Sequence, residues 1–277
     1  MPFAAHLRVA FRRHWPYYLA EAAGLAFFVL CAGLLTVLLE HPASPLAPWL
    51  PMQPVARRAL MGLGMALVIV SIVYSPWGKR SGAHINPAVT LAFWQLGKLR
   101  TPDAVWYVLA QLAGAVGAAQ LLRGSLGRWY AHPAVNFTVT EPGPQGPLVA
   151  FWAEFGISFL LMIVLLVALH SGRLKRWTGV VLGLLLAVYI VFETPYSGMS
   201  LNPARSLGTA LAAGSYQGLW LYWVAPPLAT WLATVLFRYL HHGEDLECAV
   251  LAGCGPGPAS PHTAGEEPPH YPTQQPE

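Results

Sequence analysis

Charged residues are scarce in this sequence. Asp, Glu, Lys and Arg make up 10% of the 277 residues, against the roughly 25% that a water-soluble domain uses to cover its surface. With 55% hydrophobic residues and a mean hydropathy of +0.48, a soluble globule is excluded and a bilayer is the natural solvent. Cysteine is scarce too. Of the three, Cys31 sits in an apolar run and Cys248 and Cys254 lie close to the C-terminal end, so no disulfide framework is expected. The residue patterns of catalysis are also missing: no nucleophile stands with a base, no histidine, His84 included, has a partner at metal-ligand spacing, and no glycine loop suits a phosphate. No enzyme activity, cofactor or metal is therefore expected. The net charge of +4 and the pI near 9.1 do not indicate nucleic acid, because the basic residues are scattered over short connections and form no patch.

What the sequence does have is long apolar runs. Set against the ~20 residues that cross ~30 Å of hydrocarbon, they give six spans at approximately 17–39, 57–76, 103–122, 148–169, 177–194 and 218–240. A basic start followed by an apolar run also suits a cleaved signal, but this run is too long for one and contains Glu21, so it is read as a permanent span. Of the 16 Lys and Arg, those from Arg8 to Arg13, from Lys79 to Arg100, from Arg173 to Arg176 and Arg238 fall on one side. Arg57, Arg58, Arg123, Arg128 and Arg205 fall on the other. The heavier side is cytoplasmic, which puts both termini in the cytoplasm. The chain then divides into a cytoplasmic N-terminal segment (1–16), a single membrane domain (17–240) and a tail (241–277). The tail mixes Gly, Pro, acids and His without apolar periodicity, and is expected to be disordered. Two proline-rich stretches, 41–54 and 125–147, read as irregular extracellular loops with no chemical constellation.

An internal repeat carries most of the information. Ser81-Gly82-Ala83-His84-Ile85-Asn86-Pro87-Ala88-Val89-Thr90 is echoed 116 residues later by Ser197-Gly198-Met199-Ser200-Leu201-Asn202-Pro203-Ala204-Arg205-Ser206. Ala20-Glu21 is likewise echoed by Ala153-Glu154. The copies occupy about 17–122 and 148–240, and three spans per copy invert one half relative to the other. Asn is a favoured helix cap and Pro a favoured first helical residue, so Asn86-Pro87 and Asn202-Pro203 start helices that Gly97 and Gly214 stop. Ten or eleven residues at 1.5 Å rise make about 15 Å, half the hydrocarbon thickness. Two half-helices entering from opposite faces meet head to head at the midplane, where unwound backbone is tolerated only if it lines a wet cavity or is buried in protein. The fold class is thus an all-α membrane protein with six transmembrane helices and two re-entrant half-helices in an inverted repeat. The segments leading into the half-helices offer backbone carbonyls to the cavity, and the two Asn amides offer donors.

These segments resemble the paired NPA signatures of the aquaporin and glycerol-facilitator family, and the resemblance covers about residues 15–240. It implies a passive channel for water or small uncharged solutes, with pore motifs at Asn86, Pro87, Ala88, Asn202, Pro203 and Ala204. Carbonyls of Gly82, Ala83, His84, Gly198, Met199 and Ser200 would line the pore. Glu21 and Glu154 would brace the loops that precede the half-helices, where an unsatisfied acid in a span would be costly; a proton relay is the alternative. Arg205 would stand at the outer constriction with Met199, Ile190 and either Met65 or Ala66, although an Arg paired with a lipid phosphate or with Glu193 is the other reading of that position. The resemblance also implies a homotetramer in the cell membrane, one pore per subunit.

The solute stays open at this stage. Strict water channels carry His where this chain has Ile190, so the rim is more apolar and suits glycerol, urea, ammonia or an undissociated metalloid acid. Ser206, Ala210, Tyr222 and Trp223 match water-channel positions instead. A secondary transporter or a non-conducting scaffold of the same fold are the remaining alternatives. Finally, small residues at four-residue spacing (Ala20/Gly24, Gly62/Ala66, Ala110/Gly114/Ala118, Gly179/Gly183) predict close helix seams.

Overall fold

A computed structural model describes residues 2–50, 53–242, 246 and 249–253. Among these, six helices are long and apolar enough to cross a membrane: α1 (Phe3–Glu40), α2 (Pro54–Tyr74), α5 (Thr101–Leu126), α6 (Pro147–His170), α7 (Thr178–Phe192, long enough together with the 3-10 turn Lys175–Trp177 before it) and α10 (Leu219–Leu240). Four shorter helices complete the set: α3 (Pro76–Ser81), α4 (Pro87–Gln95), α8 (Thr194–Ser197) and α9 (Pro203–Ala213). Proline opens α2, α3, α4, α6 and α9, where its missing N–H costs nothing and its fixed φ suits the first turn. Pro226 and Pro227 lie inside α10. The spans turn large apolar side chains such as Leu63, Leu67, Leu184 and Val188 outward, as a lipid-solvated protein should.

The pairing of elements displays the inverted repeat. α1 packs along α5 and α6 along α10, while α2 and α7 meet across the join of the two halves. Each half-helix crosses over, α9 lying against α5 and α4 against α10, so neither half closes without the other. The small-residue seams work as predicted. A carbon added at Gly62 would come 2.8 Å from the Ala187 carbonyl oxygen, and one at Gly183 would come 2.9 Å from that of Ala66, so α2 and α7 touch backbone to backbone. On α5, a carbon at Gly114 would sit 2.2 Å from the Ala22 carbonyl oxygen, whereas Gly117 has open space. Gly114→Ala is therefore expected to destabilise the protein by about 3 kcal/mol, lowering the thermal midpoint in detergent, while Gly117→Ala leaves it unchanged or slightly raised.

Three differences from the sequence reading have physical causes. α1 begins at Phe3, so most of the segment expected to precede the first span is its helical extension. The Trp106 indole donates to the Leu7 carbonyl (3.0 Å), and His14 and Tyr18 bond to Asp103 at 2.7 and 2.6 Å, holding the extension on the start of α5. The connection from 127 to 146 lacks α-helix, as expected, yet Tyr130, Val135 and Thr140 are buried and Thr140 hydrogen-bonds Ser206 at 2.7 Å. The tail was expected to be disordered throughout. Leu246 and residues 249–251 are instead buried against the helices, because a cleft already formed by the rest of the chain supplies apolar partners that the tail lacks. Apart from Leu246 and residues 249–253, the tail from 243 onward lies outside the described residues.

Candidate functional site

The site is built where the two repeated segments meet. Gly82, Ala83 and Ile85 all have positive φ, at +98°, +56° and +40°, and so do their counterparts 116 residues on, Gly198, Met199 and Leu201, at +75°, +52° and +60°. Side chains with a Cβ resist this conformation, at about 1–3 kcal/mol per residue, so something must hold the loops. Two buried glutamates do. Glu21 accepts from the Ser81 hydroxyl (2.7 Å), the backbone N–H groups of His84 (3.0 Å) and Ile85 (2.5 Å), and the Gln111 amide (2.8 Å). Glu154 accepts from the Ser197 hydroxyl (2.7 Å) and the N–H groups of Ser200 (2.6 Å) and Leu201 (2.8 Å). A matched pair of tyrosines secures the other end of each loop: Tyr107 donates to the Ser81 carbonyl at 2.6 Å and Tyr222 to that of Ser197 at 2.5 Å. None of the four donors on Glu21 belongs to a titratable side chain, as a brace requires, whereas at Glu154 the Ser197 hydroxyl also contacts Glu193 Oε1 and so links two acids.

From these loops the half-helices begin as predicted. Asn86 Oδ1 caps the Ala88 N–H at 2.9 Å, and Asn202 Oδ1 caps those of Ala204 and Arg205 at 3.1 and 3.2 Å. Pro87 and Pro203 occupy the first helical positions, and Ala88 and Ala204 are fully buried behind them. Each Asn also reaches across the join: Asn86 Nδ2 donates to the Leu201 carbonyl at 2.8 Å and Asn202 Nδ2 to the Ile85 carbonyl at 2.7 Å. The two helix N-termini are thereby locked head to head. One hydrogen on each amide remains available to a guest, and the two positive helix ends converge on the same point.

Cavities lie on both sides of this junction. One, here called outer because it is on the side that the Lys and Arg count assigns to the outside, has about 220 Å³ and is lined by Met65, Ile190, Met199, Gly198, Ser200 and Arg205 together with Thr138 and Val139. Met65, and not Ala66, faces it; Ala66 lies in the α2–α7 seam. The inner cavity, of about 80 Å³, is lined by Ala83, His84, Ile85, Asn86, Ser200, Leu201 and Asn202 among apolar side chains. Arg205 Nη1 is buried without a hydrogen-bond partner among the described residues. Glu193, the acid considered as its partner, instead turns Oε1 to the Ser197 hydroxyl. An unsatisfied buried cationic donor facing a cavity is a place for a polar guest.

Sequence reasoning missed several of these residues or their roles. It singles out Tyr222 only as a match to water-channel positions and Tyr107 not at all, although the two repeat at 115-residue spacing in the two halves. Gln111 is confined to one half. Thr138 and Val139 belong to a loop without internal periodicity, and nothing in its composition places it beside Arg205. The His84 ring, which has no partner at metal-ligand spacing in the sequence, stacks on Phe93 with centroids 4.6 Å apart and bonds the Ala249 carbonyl at 3.0 Å.

Residues 8–237 match the family described as Major intrinsic protein. Among curated proteins, the chain is 36% identical to aquaporin NIP3-1 of Oryza sativa subsp. japonica over 177 residues, 63% of this chain and 54% of that protein. It is 31% identical to aquaporin Z of Bradyrhizobium diazoefficiens over 215 residues, 72% of this chain and 86% of that one. The chain thus spans about half the length of the plant relatives it matches and most of the bacterial one. The X-ray structure of the aquaglyceroporin from Plasmodium falciparum superposes with a TM-score of 0.70 at 18% identity, covering 82% of this chain and 96% of that one, which is a likeness of fold.

Proposed function

This chain belongs to the major intrinsic protein family, and on that premise we propose that it is a passive channel for water and small uncharged solutes. The observation that carries the proposal is the head-to-head lock of Asn86 and Asn202 with a cavity on either side. A guest passing that junction exchanges its hydration for backbone carbonyls of Gly82, Ala83, His84, Gly198, Met199 and Ser200 and for the spare amide hydrogens. Cations and protons meet Arg205 and two positive helix ends. The reading of Met65, Ile190 and Met199 with Arg205 as the outer constriction is supported by their shared cavity.

Three apolar side chains and a single cationic donor favour neutral solutes larger or less polar than water, so glycerol, urea, ammonia or an undissociated metalloid acid form the second reading. We further propose both termini in the cytoplasm, from the excess of Lys and Arg on that side, and a homotetramer in the cell membrane, from the family resemblance. The boundaries 1–16, 17–240 and 241–277 are proposed with them, the tail amended as described above.

Stopped-flow light scattering on liposomes loaded with purified protein tests the function. Osmotic shrinkage should exceed that of empty liposomes, and re-swelling should report glycerol or urea entry; absence of both from the full chain and from a chain ending at His242 sinks the proposal. Ile190→His adds a polar group and narrows the rim. It should lower glycerol flux about tenfold, a change of about 1.4 kcal/mol in the barrier, while water flux is retained.

A further inference from the structure

We propose that the segment comprising Leu246 and residues 249–253 is an intrinsic plug that closes the inner mouth of the pore and must leave for conduction to proceed. The inference rests on the channel reading above.

Three observations carry it. The first is burial: Leu246, Ala249, Val250 and Leu251 are only 2%, 3%, 7% and 5% exposed, although the segment follows the last span by only a few residues. Leu251 and Ala249 join the same apolar cluster as Ala83, Ile85 and Leu201 at the junction. The second is hydrogen bonding. The Leu251 N–H donates to the Gly82 carbonyl at 3.0 Å, taking an acceptor that the channel reading assigns to the permeant. The Ala249 carbonyl can only accept, so His84 must present Nε2–H to it across their 3.0 Å contact.

The third is position. Leu251 lines the inner cavity together with Asn86 and Asn202, and that cavity is about 80 Å³ against about 220 Å³ for the outer one. The segment crosses from the end of α3 to the connection before α7. At the first end a carbon added at Gly82 would lie 2.8 Å from the Ala249 carbonyl oxygen, and at the other a carbon added at Gly253 would lie 2.5 Å from that of Lys175. Both ends of the crossing are glycine, which allows backbone to approach backbone. Ala83, next to Gly82, and Leu182 of α7, the helix that Lys175 precedes, both line the inner cavity with Leu251, so the crossing chain runs between two of its walls.

The test compares osmotic shrinkage of liposomes holding equal amounts of the full chain, of a chain ending at His242, and of full-length Leu251→Asp. The aspartate cannot remain in the apolar cavity without a partner, so it expels the segment by a route independent of truncation. Both variants should conduct faster than the full chain, by about tenfold if the plug occupies nine-tenths of the molecules. If the truncated chain fails to insert, Leu251→Asp alone decides. Equal rates for full chain and variants, all above empty liposomes, overturn the plug and leave the channel standing. Rates equal to empty liposomes for every form, with water and with glycerol, overturn the channel reading itself.

Discussion

Glu21→Ala should remove about 4 kcal/mol or more of this protein's stability, a large part of the whole. The substitution strands four donors at once: the Ser81 hydroxyl, the N–H groups of His84 and Ile85, and the Gln111 amide. A buried donor left without an acceptor costs about 1–3 kcal/mol, so about 4 kcal/mol is a lower figure for the set, against a total stability of about 5–15 kcal/mol. The loss falls where Ala83 and Ile85 already have positive φ, so the loop can also relax and withdraw Asn86 from its bond to Leu201. Glu154→Ala should be milder, stranding the N–H groups of Ser200 and Leu201 while the Ser197 hydroxyl keeps Glu193 as a partner. Glu21→Gln keeps one acceptor oxygen and should fall between. Size-exclusion chromatography in detergent with a thermal ramp reports the order, and osmotic permeability should fall in step. A Glu21→Ala protein that melts with the unsubstituted chain would mean that the glutamate does not hold the loop.

Arg205→Val should have the opposite profile, with a large change in selectivity and little in stability. The guanidinium has an unsatisfied buried nitrogen and stands in the first turn of α9, where the helix dipole disfavours a cation. Val89 occupies the equivalent place in the other half and is accommodated there. Removing Arg205 should therefore leave the melting temperature unchanged or slightly raised. It should also open the outer cavity to larger guests and weaken the barrier to cations. Glycerol flux should rise by about tenfold, equivalent to about 1.4 kcal/mol, and a pH-sensitive dye inside the liposomes should report a proton leak absent from the unsubstituted protein. Unchanged selectivity would mean that the pathway is narrowest elsewhere.

Both predictions were partly visible in the sequence, and for different reasons. Glu21 and Glu154 stand out as acids in apolar runs, and their pairing with the repeated segments follows from the repeat itself. The number and kind of their donors needed coordinates, since Gln111 lies 90 residues from Glu21 and has no echo in the second half. Arg205 breaks an otherwise matched repeat, which marks it. Its freedom from Glu193 appears only once the Ser197 hydroxyl is seen to hold that acid. The choice between Met65 and Ala66 illustrates the limit of periodicity: adjacent residues on a helix differ by about 100°, and an uncertain connection length blurs which of them faces inward. Contact of the Ala66 backbone with Gly183 decides it.

Local chemistry written along the chain determined the architecture: apolar run lengths set six spans, Asn-Pro pairs set two half-helix starts, and an odd number of spans per copy set the inversion. These depend on solvation and on nearest neighbours, which a sequence displays directly. Only the tertiary structure decided what fills the ends of the cavity between them, Thr138 and Val139 on the outside and Leu251 within. A segment judged by its own composition looks unable to fold, yet the free energy that orders it comes from surfaces more than 160 residues away in sequence, as between His84 and Ala249, and a linear pattern carries no record of them.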